Sequence, residues 1–213
     1  MSEKAKKNEY RLLVVNPGST STKMGIFLND EMILQEVVRH DKCEIDQYAT
    51  PADQKRMRLD LIEKWMAESN INPFDFDAII GRGGLVEPID SGVYMVNERM
   101  IYDLTHTAEA QHASSLGGII AYELAKKANK PAFVVDPVVV DEMDPYAKLS
   151  GLPGIERRSV FHALNQKAVA RRCAGDLNKQ YEDCRFVVAH MGGGITVGAH
   201  RYGRVIDVND GLA

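Results

Sequence analysis

A chain of 213 residues, 45% hydrophobic and 26% charged, has the length for one large domain or two small ones and enough apolar content to bury a core. Its 26 basic and 30 acidic residues leave a formal net charge of -4, and no run of one sign is long enough for a nucleic-acid arm or a lipid-binding patch, so neither nucleic acid nor membrane is an expected partner. No apolar run approaches the roughly 20 residues that cross a bilayer, residues 1–10 are polar and lack the core of a secretion signal, and Cys43, Cys173 and Cys184 form no CxxC pair and read as reduced thiols, so a soluble cytoplasmic protein is expected.

Residues 11–16 (RLLVVN) read as a buried strand, 17–22 (PGSTST) as a turn of small residues and 23–28 (KMGIFL) as a second strand. Asn29-Asp30 signals a tight turn and 31–38 a third strand, which makes an antiparallel meander. Met57, Leu61 and Trp65, with Ile62 and Met66 beside them, mark a helix capped by Thr50 or Asp53 and stopped by Asn70 and Pro73. A short strand over 77–81 leads into Arg82-Gly83-Gly84, 92–97 is extended, and a helical pattern covers 112–129. Residues 132–136 (AFVVD) form a buried strand ending in an acid. The stretch 159–177 is an amphipathic helix, with Val160, Leu164, Lys167 and Arg171 dividing between an apolar and a charged face. Strands over 184–191, 195–200 and 204–208 follow, the first two around a turn at 192–194. Strands alternate with helices through the middle, so the class is α/β.

Two glycine turns share an arrangement: VVNPGSTSTKMGIF at 14–27 and VAHMGGGITVGAHR at 188–201. Aligning Asn16 with His190 puts Gly18 on Gly192, Thr22 on Thr196 and Gly25 opposite Ala199. Glycine lets a ligand approach the backbone closely, and successive amide N–H groups in a turn make a concave anion site. The hydroxyls of Ser19, Thr20, Ser21 and Thr22 and the charge of Lys23 add to the first turn. Neither turn is a P-loop, because no GKS or GKT follows the glycines. The plain alternative is two ordinary hairpins, since Gly and Ser fill turns generally.

NPGSTSTK resembles the first phosphate hairpin of acetate and butyrate kinases, and AHMGGGITVGAH resembles their second phosphate loop. GRGGLVEPIDSGVYMVN, HASSLGGIIAYELA, VDPVVVDEMDPYAKLSG and RRSVFHALNQKAVARR resemble butyrate kinase more than acetate kinase, in one order from about residue 11 to the end. The resemblance implies a ribonuclease-H-like duplicated fold of the acetate kinase/actin-like ATPase type, binding ATP or ADP with Mg²⁺. The implied activity is transfer of the γ-phosphoryl of ATP to a short-chain carboxylate, reversibly, to give an acyl phosphate. The family also implies a homo-oligomer.

Carried over by the motifs, Asn16 faces the γ-phosphate and its metal, and Gly18, Ser19, Thr20, Ser21, Thr22 and Lys23 complete the first hairpin. His190, Gly192, Gly193 and Gly194 form the second loop. Arg82 matches the arginine that binds the acid, a role its guanidinium fork suits. Asp136 matches an acid at a strand end that helps place Mg²⁺, with Asp141 and Asp144 as rivals; magnesium needs only one or two protein acids. His162 matches the histidine that stabilises the transferring group, as imidazolium or as N–H donor. Outside the family its plain reading is a structural histidine on a helix. His112 and His200 read as structural, and Arg157-Arg158 as a solvated basic step. Leu85, Val86, Pro137, Val138 and Val139 are apolar candidates for the acyl pocket.

The expected domains are a polar tail (1–10), an N-terminal α/β domain with the first hairpin (11–150) and the start of a C-terminal domain with the second loop (151–213). Because the sequence stops soon after that loop, the second half is expected to be incomplete, leaving an apolar sheet face uncovered. A truncated, non-catalytic fragment that binds phosphate or a partner chain is therefore the alternative function. An ATPase or sugar kinase is disfavoured, since a sugar offers Arg82 no carboxylate.

Overall fold

Leu13 and Val15, both fully buried, alternate with Val14 and Asn16 along strand β1 (Arg11–Pro17), so one face of the strand is apolar. Strand β2 (Ser21–Leu28) pairs antiparallel to it and adds Thr22, Met24 and Ile26 to that face. Strand β3 (Glu31–Arg39) continues the meander. Strand β4 (Ala78–Arg82) runs parallel to β1 with Val15 opposite Gly81. With β5 (Val93–Met95) and β6 (Ala132–Val135) the sheet has the order β3-β2-β1-β4-β6-β5.

The computed structural model describes residues 9–106, 113–192 and 194–211. It divides into two units, Met1–Gly84 with Tyr94–Val134 and Leu85–Val93 with Val135–Ala213. Ahead of the first unit's long helices comes a short one, α1 (Lys42–Ile45). Helix α2 (Lys55–Glu68) follows a 3-10 turn whose Thr50 and Asp53 cap each other reciprocally, so both expected caps are used. Its buried stripe is Arg58, Leu59, Ile62, Trp65 and Met66, with Met57 and Leu61 only half-buried. The stripe is thus turned from the one the spacing predicted, and it contains an arginine. Helix α3 (Glu98–His106) was not anticipated. Helix α4 (Ser115–Ala128) lies so close to β4 that a Cβ on Gly81 would fall 2.1 Å from the Gly117 carbonyl oxygen. The expected start of that helix, His112, lies outside the described residues.

In the second unit, β7 (Arg185–Met191), β8 (Ile195–Arg201) and β9 (Arg204–Val208) form an antiparallel sheet. Helix α5 (Ala163–Asp176) begins four residues later than the amphipathic pattern suggested and buries Ala163, Gln166, Lys167, Ala170 and Ala174. Leu164 is exposed and Lys167 is buried, the reverse of the expected faces. The Lys167 ammonium donates to Glu142 at 2.7 Å and to the Gly203 carbonyl at 3.0 Å, which is why a charged residue is tolerated inside. Arg157 is likewise no solvated step. It donates to the carbonyls of Ala147 and Val208 and pairs with Asp207. The other face of this sheet carries Val187, Met191, Ile195 and Val197, all exposed. A shallow recess of about 450 Å³ lies there, lined by Val187, Val197 and Arg157 among others. No helix among the described residues is long and apolar enough to cross a membrane.

Candidate phosphate and acid site

The first glycine hairpin is closed by the Gly18 N–H donating to the Ser21 carbonyl at 2.7 Å. Ser19 and Thr20 stand exposed at its tip, and their amides are not spent within the turn among the described residues. Asn16 and Lys23 are cross-strand partners, both exposed, on the face opposite the apolar one. Thr22, expected among the phosphate donors, instead faces the core. It is fully buried, its hydroxyl lies 2.8 Å from His40 Nε2, and it accepts from Arg58 at 2.8 Å. A threonine one residue along the strand from Lys23 must point the other way.

Arg58 fastens this turn from below. Its guanidinium donates to the carbonyls of Gly18 (2.8 Å) and Ser21 (3.1 Å), to Thr22, and twice to Gln54. It is fully buried and no carboxylate pairs with it among the described residues. Burial lowers its pKa to about 10, and Glu44 opposes the shift. Burial, then the Arg58 charge, lowers the pKa of His40. The sequence reading missed both. The only signal for Arg58 was a charge inside an otherwise apolar helical stripe.

Arg82 ends β4, one residue past the pair formed by Val15 and Gly81. The register therefore sets it beside Asn16, on the same face, at the carboxyl ends of two parallel strands. It is half-buried and its guanidinium has no ion-pair or hydrogen-bond partner among the described residues. Burial lowers its pKa, yet an arginine keeps its charge at neutral pH. A partly desolvated guanidinium without a counter-ion is a receptor for an anion.

The second loop has a different register. His190 pairs with Thr196 and Met191 with Ile195, whereas in the first hairpin Pro17 pairs with Thr22. Thr22 and Thr196 do correspond, both fully buried on the inner face. His190 then matches Pro17 rather than Asn16, because a one-residue slip puts a side chain on the other face. The His190 ring stacks on that of His162, with centroids 3.7 Å apart and planes at 6°, and the Asn165 amide nitrogen lies 2.9 Å from its Nδ1. His162 sits just before α5, at its N-cap, rather than on the helix. Its ring lies against Gly194, where a Cβ would come within 3.2 Å of His162 Cε1. The Gly192 N–H donates to the Gly194 carbonyl, and Gly193 lies outside the described residues. His200 is buried and hydrogen-bonded, as a structural histidine should be.

Asp136 follows β6 and is buried. Its Oδ1 accepts from Ser91 Oγ (2.6 Å) and the Gly92 N–H (2.9 Å), and its Oδ2 meets Arg171 at 3.4 Å. Its φ of 39° is unusual for a non-glycine residue; four of the five other such residues are asparagines. The rivals are tied elsewhere, Asp141 to Lys148 at 2.6 Å and Asp144 to Arg201 at 2.9 Å. No group of three or more His, Cys, Asp or Glu able to hold a metal alone occurs among the described residues. Of the apolar candidates, Pro137, Val138 and Val139 are buried and Leu85 and Val86 half-buried. Their two segments run together where Ile89 bridges Val140.

The sequence model of the Acetokinase family matches residues 99–213, just over half of the chain. Among solved structures, an acetate kinase from Porphyromonas gingivalis superposes with a TM-score of 0.71 at 16% identity, covering 96% of this chain and 58% of its own. An acetate kinase from Entamoeba histolytica gives 0.66 at 16%, covering 95% and 55%. A propionate kinase from Francisella tularensis gives 0.66 at 17%, covering 95% and 58%. Identities this low establish the fold, which is the α/β fold of the acetate kinase and actin-like ATPase type. The chain spans less than two thirds of the length of these structures.

Proposed function

We propose, from the premise that this chain belongs to the acetokinase family, that it serves a carboxylate kinase of the butyrate kinase type. Such an enzyme moves the γ-phosphoryl group of ATP to a short-chain acid, butyrate or a branched-chain relative, and releases an acyl phosphate and ADP, reversibly. The observation that carries this reading is Arg82, a half-buried guanidinium without a partner among the described residues, set by register beside Asn16 and the first phosphate hairpin. The choice of a four-carbon acid rests on the butyrate-kinase-like motifs around Arg82, Asp136 and His162. A homo-oligomer in the cytoplasm is part of the same proposal.

In this reading a carboxylate oxygen of the acid attacks the γ-phosphorus while the bond to the β,γ-bridging oxygen breaks, and that electron pair leaves with ADP. Catalysis is then mostly positioning and charge neutralisation. Arg82 holds the carboxylate by its fork and neutralises charge on the phosphoryl oxygens. The turn of Gly18, Ser19 and Thr20, with Lys23 on its outer face, and the loop of Gly192, Gly193 and Gly194 opened by His190 receive the phosphates. His162 donates to the oxygens of the transferring group. By the family resemblance Asn16 would face a magnesium ion bound mainly through phosphate oxygens and water, a cation that asks for few protein ligands, and Asp136, its carboxylate held by Ser91, Gly92 and Arg171, would help to place it from a distance. Bound there, Mg²⁺ supplies neutralisation of phosphate charge.

The test is ATP- and Mg²⁺-dependent acyl phosphate formation, trapped with hydroxylamine, with acetate, propionate, butyrate and isobutyrate as acceptors. Turnover should favour the four-carbon acids and fall about 100-fold in Arg82→Ala, with Arg82→Lys between, since a bidentate charged contact is removed or halved. Turnover indifferent to Arg82 would overturn the assignment. A second reading, a non-catalytic chain that binds phosphate or a partner, is favoured by the open apolar face of Val187, Met191, Ile195 and Val197. Nucleotide binding without transfer to any acid would select it.

A further inference from the structure

Buried polar side chains lead inward from His162: Thr196, Gln166, His200 and Tyr181, all no more than 4% exposed. The Gln166 amide fixes their direction. Its nitrogen end lies 3.1 Å from the Thr196 carbonyl oxygen, a group that only accepts, and 2.9 Å from Thr196 Oγ1. The other end is then the amide oxygen, 3.0 Å from His200 Nε2, which must supply an N–H. Gly198 makes room for this arrangement, since a Cβ there would fall 2.3 Å from Gln166 Oε1.

His200 is neutral at neutral pH, because burial and then the Lys167 charge lower its pKa to about 4. Its Nδ1 is left to accept the Tyr181 O–H at 2.6 Å. Burial and the Glu142 carboxylate raise the pKa of Tyr181, so the phenol keeps its hydrogen. At the outer end, Thr196 Oγ1 accepts from Gln166 and, at 3.5 Å, from the His162 backbone N–H. Its own hydrogen then goes to His162 Nδ1, 3.0 Å away.

We propose that Thr196, Gln166, His200 and Tyr181 are positioning residues that hold His162 as a neutral imidazole with its hydrogen on Nε2, ready to donate to an oxygen of the transferring phosphoryl group. The tautomer rests on the Thr196 contact at Nδ1; what the donor does rests on the carboxylate kinase reading. A second proton on Nδ1 would oppose the Thr196 hydrogen, which the Gln166 amide and the His162 backbone N–H turn towards that nitrogen. Face-to-face stacking on His190 also disfavours a charged ring. The structure therefore assigns His162 the N–H donor form rather than the imidazolium, the two forms that the sequence left open.

Long-range proton–nitrogen correlation spectra of the full chain, labelled in histidine and assigned with His162→Gln, read the tautomer directly. Near pH 7, His162 should show a protonated Nε2 and an unprotonated, hydrogen-bonded Nδ1. Thr196→Ser keeps the hydroxyl and should keep that pattern. Thr196→Val should give a mixture of tautomers and, in the kinase assay, a roughly 10- to 100-fold loss of kcat with KM for ATP changed less than about threefold. A wild-type ring protonated on Nδ1, or on both nitrogens, overturns the proposal. So does a wild-type pattern in Thr196→Val. If Thr196→Val does not fold, the wild-type spectrum decides alone. If no acyl phosphate forms, the kinase reading fails while the tautomer is still measured.

Discussion

Arg58 carries a positive charge into the first unit where no described carboxylate meets it, and holds two turn carbonyls, one hydroxyl and one amide oxygen. Arg58→Ala would take the donor from the Gly18 carbonyl and the Gln54 amide oxygen and weaken the hold on Ser21 and Thr22, and buried groups left without partners are costly. The expected loss of unfolding free energy is about 3 to 5 kcal/mol, read from urea midpoints at constant slope. Arg58→Lys keeps the charge but cannot span the Gly18 and Ser21 carbonyls together. It should lose less stability yet still raise KM for ATP, because the turn is held at one point instead of two. The residues visible in the sequence as candidates were Asn16, Arg82 and His190, near glycines, and His162, by family resemblance. Arg58 and Gln166 were not, because helical periodicity records that a position is inward but not that a polar group there has found partners.

At the scale of elements, the contact between α4 and β4 decides where Arg82 stands. In Gly117→Ala the new methyl would lie 2.2 Å from the Arg82 carbonyl oxygen. Backbone opposes it, so no side chain can swing aside and the helix must back away from the strand. We expect a loss of about 3 kcal/mol or more and, in the proposed kinase reaction, a KM for the acid that rises more than KM for ATP. Gly175→Ala on α5 is the control, since its Cβ would meet nothing within 4 Å; it should be neutral or slightly stabilising. The strands were legible because alternation and Asn or Gly turns fix them locally. Helix α3 was not, although Met100, Ile101 and Leu104 mark an apolar side, because nine residues are too few for periodicity alone to tell a helix from an extended run. The start of α5 was misplaced because Val160 and Phe161 are buried in an irregular segment that continues the apolar spacing of the helix.

At the scale of the whole molecule, the order of motifs located the family, and the fold followed from it. What sequence order could not supply was the polar interior each unit builds on the same plan: a buried threonine on the second strand of a glycine hairpin, met by a histidine and by a side chain from a helix. These are Thr22 with His40 and Arg58, and Thr196 with His162 and Gln166. His40 in the first unit and His200, hydrogen-bonded to Gln166 in the second, are buried, both with lowered pKa, and this sets the response to acid. The folded pKa of His200, about 4, lies below its ordinary 6.5, so the unfolded chain binds a proton more readily than the folded one. Its contribution to stability is therefore complete above about pH 6.5 and disappears as the pH falls towards 4. Between pH 6.5 and 5 the loss from this residue should reach up to about 2 kcal/mol, and His40 adds to it in the same direction. Urea unfolding across that interval should show midpoints dropping with acidification, and His200→Phe, less stable at pH 7, should show a flatter dependence. A wild-type midpoint constant from pH 6.5 to 5 would mean that His200 takes up its proton inside the fold, with Gln166 and Tyr181 rearranging around it.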